Sequence, residues 1–384
     1  MSLDWIDDEL EQLKSASLLR QRVSRTGKLC ATITVDGTSY VNFGSNDYLG
    51  IAADPKLQKT VSDTLEQNGW GSGASPLIVG RGELHAELET QLAIFLQAEA
   101  ALLFPTGFAA NAGTIPALVG KPDVIFSDAK NHASIIDGCR LSGAKTVVYP
   151  HLDVDALAEL LTTEGSEKKL IVSDSLFSMD GDIAPLKQLA NLAERHEAML
   201  MVDEAHALGA YGGKNGGGVA EEQGVAERID VRVGTLSKSF GSHGGFVAGS
   251  RKLIDYLSNR ARTYVFSTAA PIAATAVALS ALQIVRDQPE RRLRLRSIAE
   301  RIRAELSKQG WQVPKLGTHI VPVTIGDPAR TLDIAGRLRD DGFWVPCIRP
   351  PSVPHGESLL RISLSSSHSD EMIDDLIGAL ARLR

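Results

Sequence analysis

Cysteine is scarce in this chain of 384 residues: Cys30, Cys139 and Cys347 are the whole complement. They lie far apart, show no CxxC or metal-ligand spacing, and are odd in number. A disulfide framework is therefore excluded, and a reducing, cytoplasmic setting is expected. Positive charge is not in excess either. The formal net charge is −7, which lacks the basic footprint of a nucleic-acid binder. No apolar run approaches the roughly 20 residues of a membrane span. The first residues are acidic and polar, unlike a signal peptide. There is no GxGxxG, no Walker lysine, no internal repeat and no low-complexity segment. The chain is 43% hydrophobic and 23% charged, the composition of an ordinary globular protein long enough for two domains.

What is present is an alternation of short apolar runs and helical patterns. An amphipathic helix is expected over residues 4–24, with Trp5, Leu10, Leu13 and Leu18 or Leu19 on one face. Ala31–Val35 and Tyr40–Phe43 flank Asp36-Gly37, a hairpin pattern. Seven apolar runs follow, at 101–104, 123–126, 146–149, 170–172, 199–202, 231–233 and 245–248, with helical stretches such as 83–97, 153–163 and 184–196 among them. Such runs indicate an α/β domain whose mostly parallel seven-stranded sheet is covered by helices. Its ligands would sit beyond the carboxyl ends of the strands. Residues 250–310 are helical and rich in arginine, which reads as a solvated face. A smaller α+β domain closes the chain, with strands at 320–325, 343–348 and 359–364 and a last helix from near Ser369. The expected divisions are an N-terminal arm to residue 45, a large domain over 46–285 and a small domain over 286–384.

Two segments carry the chemistry. Asp203-Glu204-Ala205-His206 follows one apolar run and Thr235-Leu236-Ser237-Lys238 follows the next. A lysine just past a buried strand, beside small hydroxyl residues, suits Schiff-base chemistry. An aspartate ending the preceding strand suits a partner for a protonated pyridine nitrogen. Together they point to pyridoxal phosphate (PLP). Singly, Asp203 also reads as a turn cap and Lys238 as a solvated side chain. Thr106-Gly107-Phe108 opens a helix after a strand, where free N–H groups bind phosphate; alone it is an ordinary strand-to-helix turn. In a PLP pocket His132 could stack on the ring, and Ser178 or His206 could donate to the phenolic oxygen. The glycine-rich loop from Gly71 to Gly82 lacks nucleotide-cradle spacing. His85 has no paired histidine, so a metal site is not expected. Arg349, fixed before Pro350 and Pro351, suits a bidentate clamp on a carboxylate.

The motif set Ser45–Gly50, Thr106–Asn111, Asn131-His132, Phe177–Asp182, Asp203–His206 and Thr235–Gly241 resembles the α-oxoamine synthases. These are fold-type I PLP enzymes that join an amino acid to an acyl-CoA with loss of carbon dioxide. The resemblance runs from about Arg20 to the last helix. It implies that Lys238 carries the cofactor and removes the α-proton, that Asp203 keeps the pyridine nitrogen protonated, and that His132 stacks on the ring and touches substrate. It implies phosphate contacts from Gly107, Phe108 and Thr235, with Ser267 and Thr268 supplied by a partner subunit of a homodimer. Ser178 and His206 would hold the phenolic oxygen. Arg20, Asn46, Arg349 and Ser352 would meet substrate. The segments 348–354 and 360–364 and His368 are most similar to the member that condenses L-alanine with a pimeloyl thioester, carried on CoA or acyl carrier protein, in biotin biosynthesis. Members using glycine or another acyl-CoA are the alternative. Ser352 stands where threonine is usual, Ala74 and Pro76 interrupt the glycine-rich loop, and Ala207-Leu208 replace small or hydroxyl residues.

Overall fold

The computed structural model describes residues 3–213, 215–315 and 317–384. The chain opens with a helix, Trp5–Ser15, shorter than the one expected over 4–24. Ser17 takes a left-handed φ of 58°, and the amides of Leu18 and Leu19 both turn back to the Leu13 carbonyl. That bonding ends a helix and leaves residues 18–24 outside it. Trp5 and Leu10 are exposed on it. Strands β1 (Arg25–Thr26), β2 (Thr32–Val35) and β3 (Thr38–Asn42) follow. The β2–β3 turn is the expected Asp36-Gly37, with φ of 50° and 80°. Positive φ at both positions is what a two-residue hairpin turn with matching twist requires.

Seven strands form the large sheet: β4 (Ala100–Phe104), β5 (Val124–Asp128), β6 (Lys145–Tyr149), β7 (Lys169–Asp174), β8 (Met199–Asp203), β9 (Val231–Thr235) and β10 (Gly245–Gly249). Their order is β4-β10-β9-β8-β7-β5-β6. All neighbours run parallel except β10, which is antiparallel to both β4 and β9. Every residue of β4, β5 and β9 is buried. Burial on both faces is why these strands read as unbroken apolar runs, without alternation. Edge strand β6 is largely exposed.

Strands β11 (Ile320–Gly326), β12 (Phe343–Trp344), β13 (Cys347–Ile348) and β14 (Ser358–Ser363) complete the set. The expected strand over 343–348 is therefore broken. β12 joins β3 in the first sheet, while β13 pairs with β14 in a three-stranded sheet. Pro346, between them, has no N–H to continue a ladder. The last helix, Asp370–Leu383, starts as expected, with Ser369 accepting from the Met372 amide.

The chain divides into two compact units. The large one is Ile51–Ser178 with Ile183–Arg292; the small one holds the residues up to Gly50, Met179–Asp182 and Leu293–Arg384. The N-terminal hairpin thus belongs with the C-terminal residues, because β3 pairs in parallel with β12. The arginine-rich helix Glu290–Lys308 is not wholly a solvated face. Arg292 and Arg303 are buried and donate to the carbonyls of Val285 and Thr318 respectively.

Two buried ionisable groups anchor these units. In the large one, Glu204 accepts from Ser175 Oγ at 2.7 Å and from the amides of Val219 and Ala220 at 2.9 and 2.8 Å. Arg232 lies 3.7 Å away, both side chains being 3% exposed or less. In the small one, His368 Nε2 donates to the Asn42 carbonyl at 3.0 Å, Nδ1 accepts the Ser365 amide at 3.1 Å, and the ring packs on Phe43.

Arg232→Met would remove the cation that opposes the burial of Glu204, whose pKa burial already raises. A loss of about 3 kcal/mol in urea unfolding is expected; a loss under about 1 kcal/mol would refute that role. Burial lowers the His368 pKa from the ordinary 6.5 to about 4. Between these values the unfolded chain binds a proton that the folded chain refuses, so stability falls as pH drops through the window. His368→Gln should start less stable near neutrality and show a shallower loss from about pH 6.5 down to about pH 4, read by denaturant titration at several pH values.

Candidate active site

The carboxyl ends of the parallel strands share one edge of the large sheet. β8 ends at Asp203 and β9 at Thr235, whose chain continues into the turn bearing Lys238. That turn is pinned by backbone bonds from Leu236 to Gly244, Gly241 to Lys238 and Ser242 to Leu236. Lys238 Nζ lies 2.7 Å from His206 Nε2. His206 is buried and rides the tight turn after Asp203, in which the amides of Ala207 and Leu208 bond the Glu204 carbonyl.

Asp203 is 5% exposed. Its Oδ1 accepts the Ala205 amide at 2.8 Å and its Oδ2 accepts Asn111 Nδ2 at 2.7 Å. The same Asn111 nitrogen is 2.9 Å from Ser134 Oγ, which lies 2.8 Å from His132 Nδ1. His132 caps the helix Ala133–Ser142, and its backbone amide donates to Asp174 Oδ2 at 2.7 Å. Asp174 ends β7 directly opposite Asp203. Burial, and then the neighbouring Asp203 charge, push the Asp174 carboxyl well above the usual carboxylate range. Burial also lowers the His132 pKa, against the attraction of Asp203 and with the repulsion of Lys238. A ring lowered in this way favours the neutral form, which suits stacking in a dry pocket.

The expected residues Lys238, Asp203, His132 and His206 are therefore brought into one constellation. Asn111, Ser134 and Asp174 belong to it too, and no role was assigned to them from sequence. Asn111 ends the Thr106–Asn111 motif, while Ser134 and Asp174 lie outside the motifs, and the partners of all three are set by other strands and helices.

The residues present fit PLP. Thr106 Oγ1 caps the helix Gly107–Leu118 through the Ala109 amide, which leaves the Gly107 and Phe108 amides as the uncapped donors of its first turn. A Cβ on Gly245 would lie 2.4 Å from the Thr106 carbonyl carbon, so only glycine lets β10 pass so close to this turn. A Cβ on Gly107 would meet Thr235 Cβ at 3.4 Å, which places Thr235 beside the helix start. Asn111 Oδ1 is buried and has no protein partner. A helix start with uncapped amides, a carboxylate, an imidazole and a lysine thus lie at one edge. Ser178 lies in the loop after β7, held by a bridge between Leu176 and Ile183. Ser267 and Thr268 instead line a small cavity with Arg81, His85, Glu89 and Tyr264, and no residue of the Lys238 constellation lines it. His85 is engaged there by the Gly82 amide and the Ala270 carbonyl.

The small unit holds the other expected residues. Arg349 is buried and donates to the Ser17 carbonyl. Arg20 reaches the Pro350 carbonyl and Ser352 Oγ, both at 3.3 Å. Asn46 Oδ1 accepts from Arg361 at 3.1 Å and from the Tyr48 hydroxyl at 3.1 Å. Arg361 is a further buried guanidinium, one to which the sequence alone gives no role.

Residues 38–380 match the model of the family "Aminotransferase class I and II". An 8-amino-7-oxononanoate synthase of Anaeromyxobacter dehalogenans is 48% identical over 380 residues, 99% of this chain and 95% of that one. Another, from a further Anaeromyxobacter species, is 50% identical over 378 residues, 98% of this chain and 95% of its own. A serine palmitoyltransferase from S. paucimobilis, solved with PLP bound, superimposes with a TM-score of 0.94 at 32% identity, covering 100% of this chain and 98% of that one. On these grounds the chain belongs to the aminotransferase class I and II family of PLP-dependent enzymes and, within it, to the 8-amino-7-oxononanoate synthases.

Proposed function

We propose that this chain condenses L-alanine with a pimeloyl thioester. A carbon–carbon bond forms between the alanine α-carbon and the thioester carbonyl, the thiol leaves, the carboxyl departs as carbon dioxide, and 8-amino-7-oxononanoate is released. The observation that carries this reading is the placement of Lys238 Nζ 2.7 Å from His206 Nε2, on the sheet edge where Asp203 is buried with two donors on its oxygens. The full-length likeness to enzymes named for 8-amino-7-oxononanoate supports that product.

Bound PLP supplies an electron sink for charge developing at the α-carbon. The chain's own residues do the rest. Lys238 Nζ is the atom that takes and returns the α-proton, and His206 is within hydrogen-bond reach of that amine. Asp203, an acceptor held in place by Asn111 and the Ala205 amide, would keep a proton on the pyridine nitrogen. His132 would stack on the ring. The amides of Gly107 and Phe108, with Thr235, would hold the phosphate, and Ser178 and His206 would hold the phenolic oxygen. Arg349 clamps the amino-acid carboxylate, and Arg20, Asn46 and Ser352 contact substrate.

The reading extends to assembly. Leu77, Ile78 and Val79 are 51%, 74% and 78% exposed, and Phe266 is 71% exposed. Apolar surface of that kind, with Ser267 and Thr268 turned to a separate cavity, supports a homodimer in which those two residues serve the partner's phosphate. The donor thiol is CoA or acyl carrier protein, and the setting is the cytoplasm. Among the described residues, no helix is long and apolar enough to cross a membrane.

Purified protein incubated with PLP should absorb in the visible, respond to L-alanine, and release thiol and 8-amino-7-oxononanoate when pimeloyl-CoA is added, the product being read by mass spectrometry. Product only from glycine and a short acyl-CoA would overturn the substrate; no visible band would overturn the cofactor. Lys238→Ala should lower turnover about 10³-fold or more while remaining folded by circular dichroism. Sedimentation should give twice the chain mass, and a monomer active at nanomolar concentration would refute the shared site.

A further inference from the structure

Two side chains outside the expected set, Asn111 and Ser134, decide which nitrogen of His132 carries the ring proton. Asn111 Nδ2 has two hydrogens, and both are directed: one to Asp203 Oδ2 at 2.7 Å, the other to Ser134 Oγ at 2.9 Å. The amide cannot be turned over, because that would set Oδ1 against the Asp203 carboxylate. Ser134 Oγ accepts from Asn111, which leaves its own hydrogen free to point at His132 Nδ1, 2.8 Å away. A second donor, the Ser134 backbone amide, converges on the same ring nitrogen at 3.2 Å. Two donors on one nitrogen require a lone pair there. The His132 backbone amide is tied to Asp174 Oδ2 at 2.7 Å, which fixes the main chain from which the ring projects. Asn111 and Ser134 are each 1% exposed, so water does not compete for these bonds.

We infer that Asn111 and Ser134 are positioning residues that hold His132 as the Nε2–H tautomer, so that the imidazole offers a hydrogen-bond donor to the molecule bound against it. The inference deepens the proposed role of His132 and rests on that reading for the identity of the bound molecule. The tautomer itself is a property of the polypeptide. It follows that Asp203 and His132, 71 positions apart in the chain by their residue numbers, are connected through one amide and one hydroxyl. The proton held at Nε2 is then set by the same network that orients the Asp203 carboxylate.

The test is nitrogen-15 NMR of histidine-labelled protein, with and without added PLP, the His132 signals being assigned by their loss in His132→Asn. An unprotonated Nδ1 beside a protonated Nε2 is expected in both states. Ser134→Ala, which removes one hydroxyl, should move the Nδ1 resonance and weaken PLP binding about tenfold, the scale of one hydrogen bond. Ser134→Thr should return both. A protonated Nδ1 in the parent protein would overturn the inference, and so would a Ser134→Ala variant with unchanged His132 resonances and PLP affinity. A parent protein with the expected tautomer that takes up no PLP would leave the inference standing and remove the cofactor reading. The reverse pattern would do the opposite.

Discussion

A charged group cut off from water fixes the ground on which the site is built. Glu204 is 1% exposed, and such a charge is tolerable only when its lone pairs are filled and a counter-charge is near. Ser175 from the loop after β7, the amides of Val219 and Ala220, and Arg232 from β9 meet those demands together. None can move without exposing the others to an unmet charge. The segment Asp203–His206 is thereby held against two neighbouring strands. Consecutive residues serve opposite ends: Asp203 meets Asn111, while Glu204 turns to the loop at 219–220.

This division of labour explains why so much of the fold was legible and so much of the site's interior was not. Most runs of the large sheet announced themselves because strands buried on both faces are largely apolar; edge strand β6 is largely exposed, and β9 carries the buried Arg232. The hairpin at Asp36-Gly37 was legible because its turn demands two residues with positive φ. The helix over 4–24 was misjudged because periodicity continued past Ser15, whereas its end is decided by Leu18 and Leu19 turning back to Leu13. The strand over 343–348 looked continuous, and Pro346 splits it between two sheets.

At the site, Lys238, Asp203 and His206 were legible because their side chains are chemically pointed and follow two successive apolar runs. Asn111 and Ser134 were not. A buried asparagine or serine announces nothing until its partner is known, and their partners are set by where a helix and a strand meet. Asp174 is the sharper case. Only the register of β7 against β8 places it opposite Asp203, and register is not written in either strand alone. The units up to Gly50 and beyond Arg292 show the same limit, since a two-residue pairing of β12 with β3 joins the chain's opposite ends.

The antiparallel strand β10 lies between β4 and β9, with Gly249 opposite Ala100. β4 is the first strand of that sheet to be synthesised, yet its sole neighbour within it is the last. A ribosome must therefore extrude the chain through Gly249 before β4 can pair along its length within this sheet. Assembly of this sheet is governed by its most distant pairing, which sets a slow, late-closing step in its folding order.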